Sequence, residues 1–415
     1  MSHASVIPAA EATPTSGSRA APEGWFGWSP FDRDPSLRDD PYPLLNKLRE
    51  EHPVHKTPLG HYRAFRHSDV TRVLKELKVG VRTTDGTLPG IDESQMPRRF
   101  MLMQDPPNHT RLRRLVSRAF TPPAIERLRA HAEELVDHML DAVEGAGKMD
   151  VIADLARPLP STLICQMLGV PLEDRPKFTD WTAHVTHLLQ PQTMSDRIRT
   201  LAGEAAIGLS QYMVGLIEER RSRPGDDMLT VLIRAEEDGD KLSIEELITQ
   251  SVGLLVAGFE TTIGLIGNGV RQLLLHPAEH EKLRTRPTLA ASAVEECLRY
   301  DGPIPATRRV LHEDAELGGL HVPKNTEIML CLAAAHRDPR VFSEPDRFDI
   351  ERKHSSHLAF GGGIHFCLGA HLARLEAQIA IGKLITRFPK LELISEKPEW
   401  GESLFRVQAR LPVRL

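Results

Sequence analysis

From Ser243 to Pro277 the sequence runs for about thirty-three residues without an internal proline. Ser243 and Glu246 make a capping box at one end, and Pro277 closes the other. At ~1.5 Å per residue this helix is a rod of about 50 Å, long enough to cross a whole domain. Its middle, Val252 to Val270, carries one charge in nineteen residues, close to the ~20 apolar residues that span a bilayer. Glu260, Thr261, Thr262, Asn268, five glycines and the lack of a flanking aromatic belt oppose a membrane span. A helix buried on every side of a soluble protein has the same pattern, and that is the reading adopted.

Helical signals dominate the remainder. The pattern predicts helices after Pro41, at 109–120, 124–143, 160–168, 174–189, 195–221 and 228–237, one capped by Thr288 and running to Arg299, and a last one over 368–388. Strand-like segments fall at 61–65, near Val81, between Gly302 and Glu327, and in the last twenty-five residues. The predicted fold is mainly α with minor β. A length of 415 residues suggests two or three domains at ~150 each. No linker or repeat divides the chain, however, and one domain over 25–415 is expected. Residues 1–24, rich in Ala, Pro, Ser, Thr and Gly, read as a disordered tail without a signal peptide.

Composition removes several function classes. Lysine plus arginine total 52 against 57 acids, a net charge of −5, which gives no electrostatic footprint for nucleic acid. Cys165, Cys297, Cys331 and Cys367 form no CxxC pair. A zinc ribbon, a redox dithiol and covalent haem attachment are all disfavoured. So few thiols point to a reducing cytoplasm.

The sharpest chemistry lies in Phe360–Arg374, FGGGIHFCLGAHLAR. Gly361, Gly362 and Gly363 permit a tight loop that delivers Cys367 to a helix N-terminus. There the dipole and free N–H groups favour a thiolate. A lone thiolate without partner ligands argues against zinc and suits the iron of a haem. The alternative, a buried structural cysteine, is the reading for Cys165 and Cys331.

This segment resembles the haem-binding signature of the cytochrome P-450 superfamily, FGxGxHxCxG, through Phe360, Gly361, Gly363, His365, Cys367 and Gly369. The family's other motifs follow in order. Ala257-Gly258-Phe259-Glu260-Thr261-Thr262 resembles its oxygen-activation segment. Small residues there would admit dioxygen, and the acid–alcohol pair Glu260–Thr261 would pass protons. A buried Glu satisfying a local bond is the alternative. Glu296 and Arg299 form ExxR and share a helix face. The resemblance joins them to Arg347 of Pro345-Asp346-Arg347-Phe348 in a structural triad. It also assigns the two haem propionates to His109, Arg113, Arg309 and His365, with Arg308 competing for the role of Arg309.

The resemblance implies a soluble bacterial monooxygenase. It would hold haem b through Cys367 and insert one atom of O2 into a hydrophobic small molecule by hydroxylation or epoxidation. No flavin, iron–sulfur or nicotinamide module is visible, so electrons from NAD(P)H would arrive through a ferredoxin reductase and a ferredoxin. Arg111, Arg113, Arg114 and Arg118 would offer the docking face. Family analogy lines the pocket with 81–103, 183–199, Leu254, Ala257, Ile304 and Phe405, and leaves macrolide, terpenoid, steroid and fatty acid substrates open. Arg98 and Arg99 are candidate carboxylate binders. A peroxygenase is opposed by Glu260–Thr261, and a non-catalytic haem sensor by an intact oxygen-activation segment.

Overall fold

A computed structural model describes residues 36–57, 60–89, 100–189, 195–234, 236–237, 240–353, 356–401, 403 and 405–415. The expected tail and the Arg98–Arg99 pair lie outside them. The central helix spans Ile244–Leu275 and is buried on nearly every side. Its N-terminus is closed reciprocally: the Ser243 hydroxyl accepts the Glu246 N–H at 3.1 Å, and the Glu246 carboxylate accepts the Ser243 N–H at 2.9 Å. Arg111 pairs with the same carboxylate, which ties the arginine-rich helix Asn108–Ser117 to this end.

Helices Pro158–Met167, Asp196–Ser222, Ala290–Asp301 and Ala370–Arg387 pack around the central helix. Two of its glycines let neighbours approach. A Cβ on Gly253 would collide with the Phe100 ring, and one on Gly264 would stand 2.7 Å from Pro303 Cβ. The Met101 N–H adds a 3.2 Å bond to Gln250 Oε1, so the 100–103 segment rests directly on the helix. Among the described residues this is the helix long and apolar enough to cross a membrane, and 72% of its most apolar window is buried in the protein.

A five-stranded sheet flanks the helices, in the order Val54–Lys56, Tyr62–Ala64, Glu327–Cys331, Ala306–Leu311, Val79–Gly80. The pairs are antiparallel except the parallel pair formed by Tyr62–Ala64 with Glu327–Cys331. Successive side chains in Ala306–Leu311 point to opposite faces. Arg308 therefore turns to Glu327, 2.7 Å away, while Arg309 turns inward and is 7% exposed.

Several boundaries differ from expectation. The 124–143 helix is two, Pro122–Glu126 and Arg129–Asp141. Thr288 caps nothing, because Pro287–Leu289 form a 3₁₀ turn and the helix begins at Ala290. The helix expected over 228–237 stops at Arg234.

Candidate active site

The cysteine loop is held by its own backbone. The Cys367 N–H donates to the Phe360 carbonyl at 2.9 Å and the Phe366 N–H to Gly363 at 3.1 Å. Gly363 has φ +66°, and a Cβ there would strike the Leu74 carbonyl of helix His67–Lys75. Only glycine fits that turn. Gly369 is the N-cap of Ala370–Arg387, which sets Cys367 three residues before the helix. Burial pushes the Cys367 thiol up, and the Gly369 N–H, Arg113 and Arg374 only partly oppose this. The helix terminus alone does not secure the thiolate; a metal cation at the sulfur would complete the balance.

Four basic groups converge nearby. The His109 and His365 rings lie 4.2 Å apart, and Arg113 and Arg309 act electrostatically on both. Burial, then the charges of His365 and Arg113, pushes His109 down to about 4. Burial also lowers Arg309, to about 10. The counter-charge is Asp105, whose Oδ1 is 3.9 Å from His365 Nε2 and whose carboxylate is engaged by the Val81 and Arg82 N–H groups. His109 Nδ1 and His365 Nε2 are buried without hydrogen-bond partners among the described residues. Such atoms are costly unless a ligand satisfies them. A dianionic haem edge would supply what they lack, so these residues fit the group.

Midway along the central helix the burial is interrupted. Ala257 is exposed, Gly258, Glu260 and Thr261 are half-buried, and their neighbours Val256, Phe259 and Thr262 are buried. A Cβ on Gly258 would meet only Ile164, at 4.0 Å. The Thr261 hydroxyl donates to the Ala257 carbonyl at 2.9 Å. Glu260 Oε2 accepts the Ser403 hydroxyl at 2.9 Å, and burial pushes its carboxyl up. Leu254 is buried, and Ile304 and Phe405 are half-buried. The Arg406 N–H donates to the Pro303 carbonyl at 2.8 Å, which sets the Ile304 and Phe405 segments side by side.

The support triad needs correction. Glu296 and Arg299 pair bidentately at 2.7 Å, both about 1% exposed. The second guanidinium on Glu296 is that of Arg352, with Nε 3.2 Å from Oε2. The Arg347 side chain turns to solvent and Glu344, and only its carbonyl enters, accepting from Arg299 at 3.1 Å. The chain bends between them, where the Asp349 N–H also donates to Glu296, and this bend presents the later arginine. Of the four arginines expected to offer a docking face, Arg111 pairs with Glu246 and Arg113 is half-buried near Cys367, whereas Arg114 and Arg118 are exposed.

Three residues given no role in the sequence reading brace the cysteine loop: Glu295, His357 and Arg374. Glu295 accepts from Arg374 at 2.6 and 2.8 Å and from His357 Nε2 at 2.9 Å. Both partners adjoin the Phe360 ring. Arg374 stood inside the quoted motif, but its partners lie in distant segments.

A long helix opened at an acid–alcohol pair, with a lone cysteine loop beside a cluster of basic side chains, fits a haem-thiolate oxygenase. A family model, Cytochrome P-450, matches residues 24–403. The biotin biosynthesis cytochrome P-450 of Bacillus subtilis is 40% identical over 383 residues, covering 90% of this chain and 96% of that protein. The cytochrome P-450 monooxygenase PikC of Streptomyces venezuelae is 40% identical over 386 residues, 90% of this chain and 91% of that one. The crystal structure of P-450BioI in complex with acyl carrier protein ligated to hexadec-9Z-enoic acid superposes with a TM-score of 0.85 at 38% identity, covering 92% of this chain and 100% of that chain. The chain belongs to the cytochrome P-450 family and is a monooxygenase of it.

Proposed function

We propose that residues 25–415 form one cytoplasmic unit that hydroxylates or epoxidises a hydrophobic small molecule, with electrons relayed from NAD(P)H by a ferredoxin reductase and a ferredoxin. The opening in the central helix at Ala257, Gly258 and Thr261, beside Glu260, carries this reading. A carrier or sensor has no use for an acid and an alcohol at such an opening.

In this reading Cys367, flanked by Phe360 and Gly369, would ligate the haem iron. His109, Arg113, Arg309 and His365 would hold the propionates of a non-covalent haem b, since no CxxC pair is present. When bound, haem supplies the iron at which O2 is activated. Ala257 and Gly258 keep the helix surface open there. Thr261 and Glu260 hold and move protons. Leu254, Ile304 and Phe405 contribute to an apolar substrate wall.

The test is a titration of the ferric, haem-loaded protein with macrolides, terpenoids, steroids and fatty acids, the last both free and on acyl carrier protein. At least one class is expected to move the Soret band to shorter wavelength and then to yield oxygenated product with surrogate ferredoxin and reductase. Electron consumption without oxygenated product from any class that binds overturns the reading.

A further inference from the structure

We propose that Glu295 and Arg374 form an opposed charge pair whose two members pull the reduction potential of the group ligated by Cys367 in opposite directions. The proposal rests on Cys367 being the iron ligand and assigns positioning residues behind it.

The contacts form a continuous path. Glu295 belongs to helix Ala290–Asp301 and Arg374 to Ala370–Arg387. Their fork-to-fork pairing fixes the guanidinium plane. That guanidinium lies 4.4 Å from the Phe360 ring centroid. The same carboxylate holds His357, whose ring centroid is 6.0 Å from that of Phe360. Because His357 Nδ1 accepts the Ala359 N–H at 3.2 Å, its Nε2 carries the hydrogen given to Glu295. The Phe360 carbonyl in turn accepts the Cys367 N–H. One carboxylate thus controls two groups on the ring whose backbone fixes the ligand.

Charge gives this brace a second effect. The Arg374 cation lies against the ring of the loop that carries Cys367. Burial raises Glu295, but the bonds from Arg374 and His357 outweigh it and bring the carboxyl to about 2, so it stays ionised at neutral pH. Reduction adds negative charge at the ligated site. A nearby cation favours that state, and a nearby carboxylate opposes it. Held together, the two nearly cancel. Removing either alone uncovers the other.

The experiment is a spectroelectrochemical titration of the full-length haem-loaded protein and of Glu295→Gln, Arg374→Gln and the double variant. Glu295→Gln is expected to raise the potential and Arg374→Gln to lower it. Each shift should be about tenfold in the reduction equilibrium, ~59 mV for one electron, and the double variant should return near the parent. If both single variants move in the same direction, or neither moves, the pair is only packing and the proposal is overturned. If Arg374→Gln does not retain haem, the comparison of Glu295→Gln with charge-keeping Glu295→Asp decides, a positive shift being expected only in the former. The ferrous carbonyl spectrum separates the two levels: a parent protein without the long-wavelength Soret band of thiolate ligation refutes Cys367 as ligand, whereas a normal band with unmoved potentials refutes the charge pair alone.

Discussion

The Ser403 hydroxyl donates to Glu260 Oε2 at 2.9 Å while accepting the Phe405 N–H at 3.1 Å, so its proton is committed to the carboxylate. The C-terminal turn thereby holds the acid of the central helix, and Arg38 holds that turn through the Ser403 carbonyl at 2.9 Å. Burial raises the Glu260 carboxyl, and Ser403 and Arg157 lower it. Loss of the hydroxyl therefore raises it further. If the protonated acid delivers protons, product formed per NADH falls as pH rises through its pKa. In Ser403→Ala that fall should move to higher pH, and Thr261→Ala should uncouple electron use from product at every pH. A Ser403→Ala profile that superposes on the parent would remove Glu260 from the proton path.

Arg352 and Arg347 should behave oppositely. Arg352→Ala leaves the buried Glu296 short of a partner, and breaking such a buried network costs about 3–5 kcal/mol. Arg347→Ala removes an exposed pair and should stay within about 0.5 kcal/mol. Denaturant unfolding with haem content read in parallel checks both values, and equal losses would contradict the geometry.

Glu376 should make stability pH-dependent. It is 2% exposed on helix Ala370–Arg387, its Oε2 has no partner among the described residues, and burial pushes its carboxyl up to about 8. Below the unfolded value of 4.5 both states hold the proton. Between 4.5 and about 8 only the folded state does, so stability falls with rising pH by up to ~1.4 kcal/mol per unit and levels off above 8. Glu376→Gln removes that slope. The gap in unfolding free energy between variant and parent should widen from pH 5 to 8, and a constant gap would show that Glu376 ionises normally.

Arg114 and Arg118 should govern encounter with an acidic ferredoxin. Reversing both charges is expected to slow ferredoxin-driven reduction about tenfold at low salt, with the difference shrinking as salt screens the field. Arg111→Glu should instead destabilise the protein, because it repels Glu246 at the helix start. Unchanged rates in the Arg114→Glu, Arg118→Glu protein would place docking elsewhere.

Local chemistry was legible in the sequence. Ser243–Glu246, the glycine-walled Cys367 loop and the pairing of Glu296 with Arg299 are short-range patterns that neighbouring residues determine. What depended on chain reversal was not. Arg347 and Arg352 are the same residue type five positions apart, and only the bend at Asp349 decides which reaches Glu296. The doubt between Arg308 and Arg309 needed strand phase. Ser403, Glu295 and His357 act on residues tens to more than a hundred positions away, and no periodicity signals such contacts.

Two adjacent carboxylates on helix Ala290–Asp301 serve different clients: Glu295 holds the cysteine loop and Glu296 the segment of Asp349 and Arg352. Consecutive helical positions differ by about 100° in azimuth. Deleting one residue between 290 and 294 would swing both carboxylates away from their clients together. This makes the helix a phase-locked ruler, whose single azimuth sets both contacts at once.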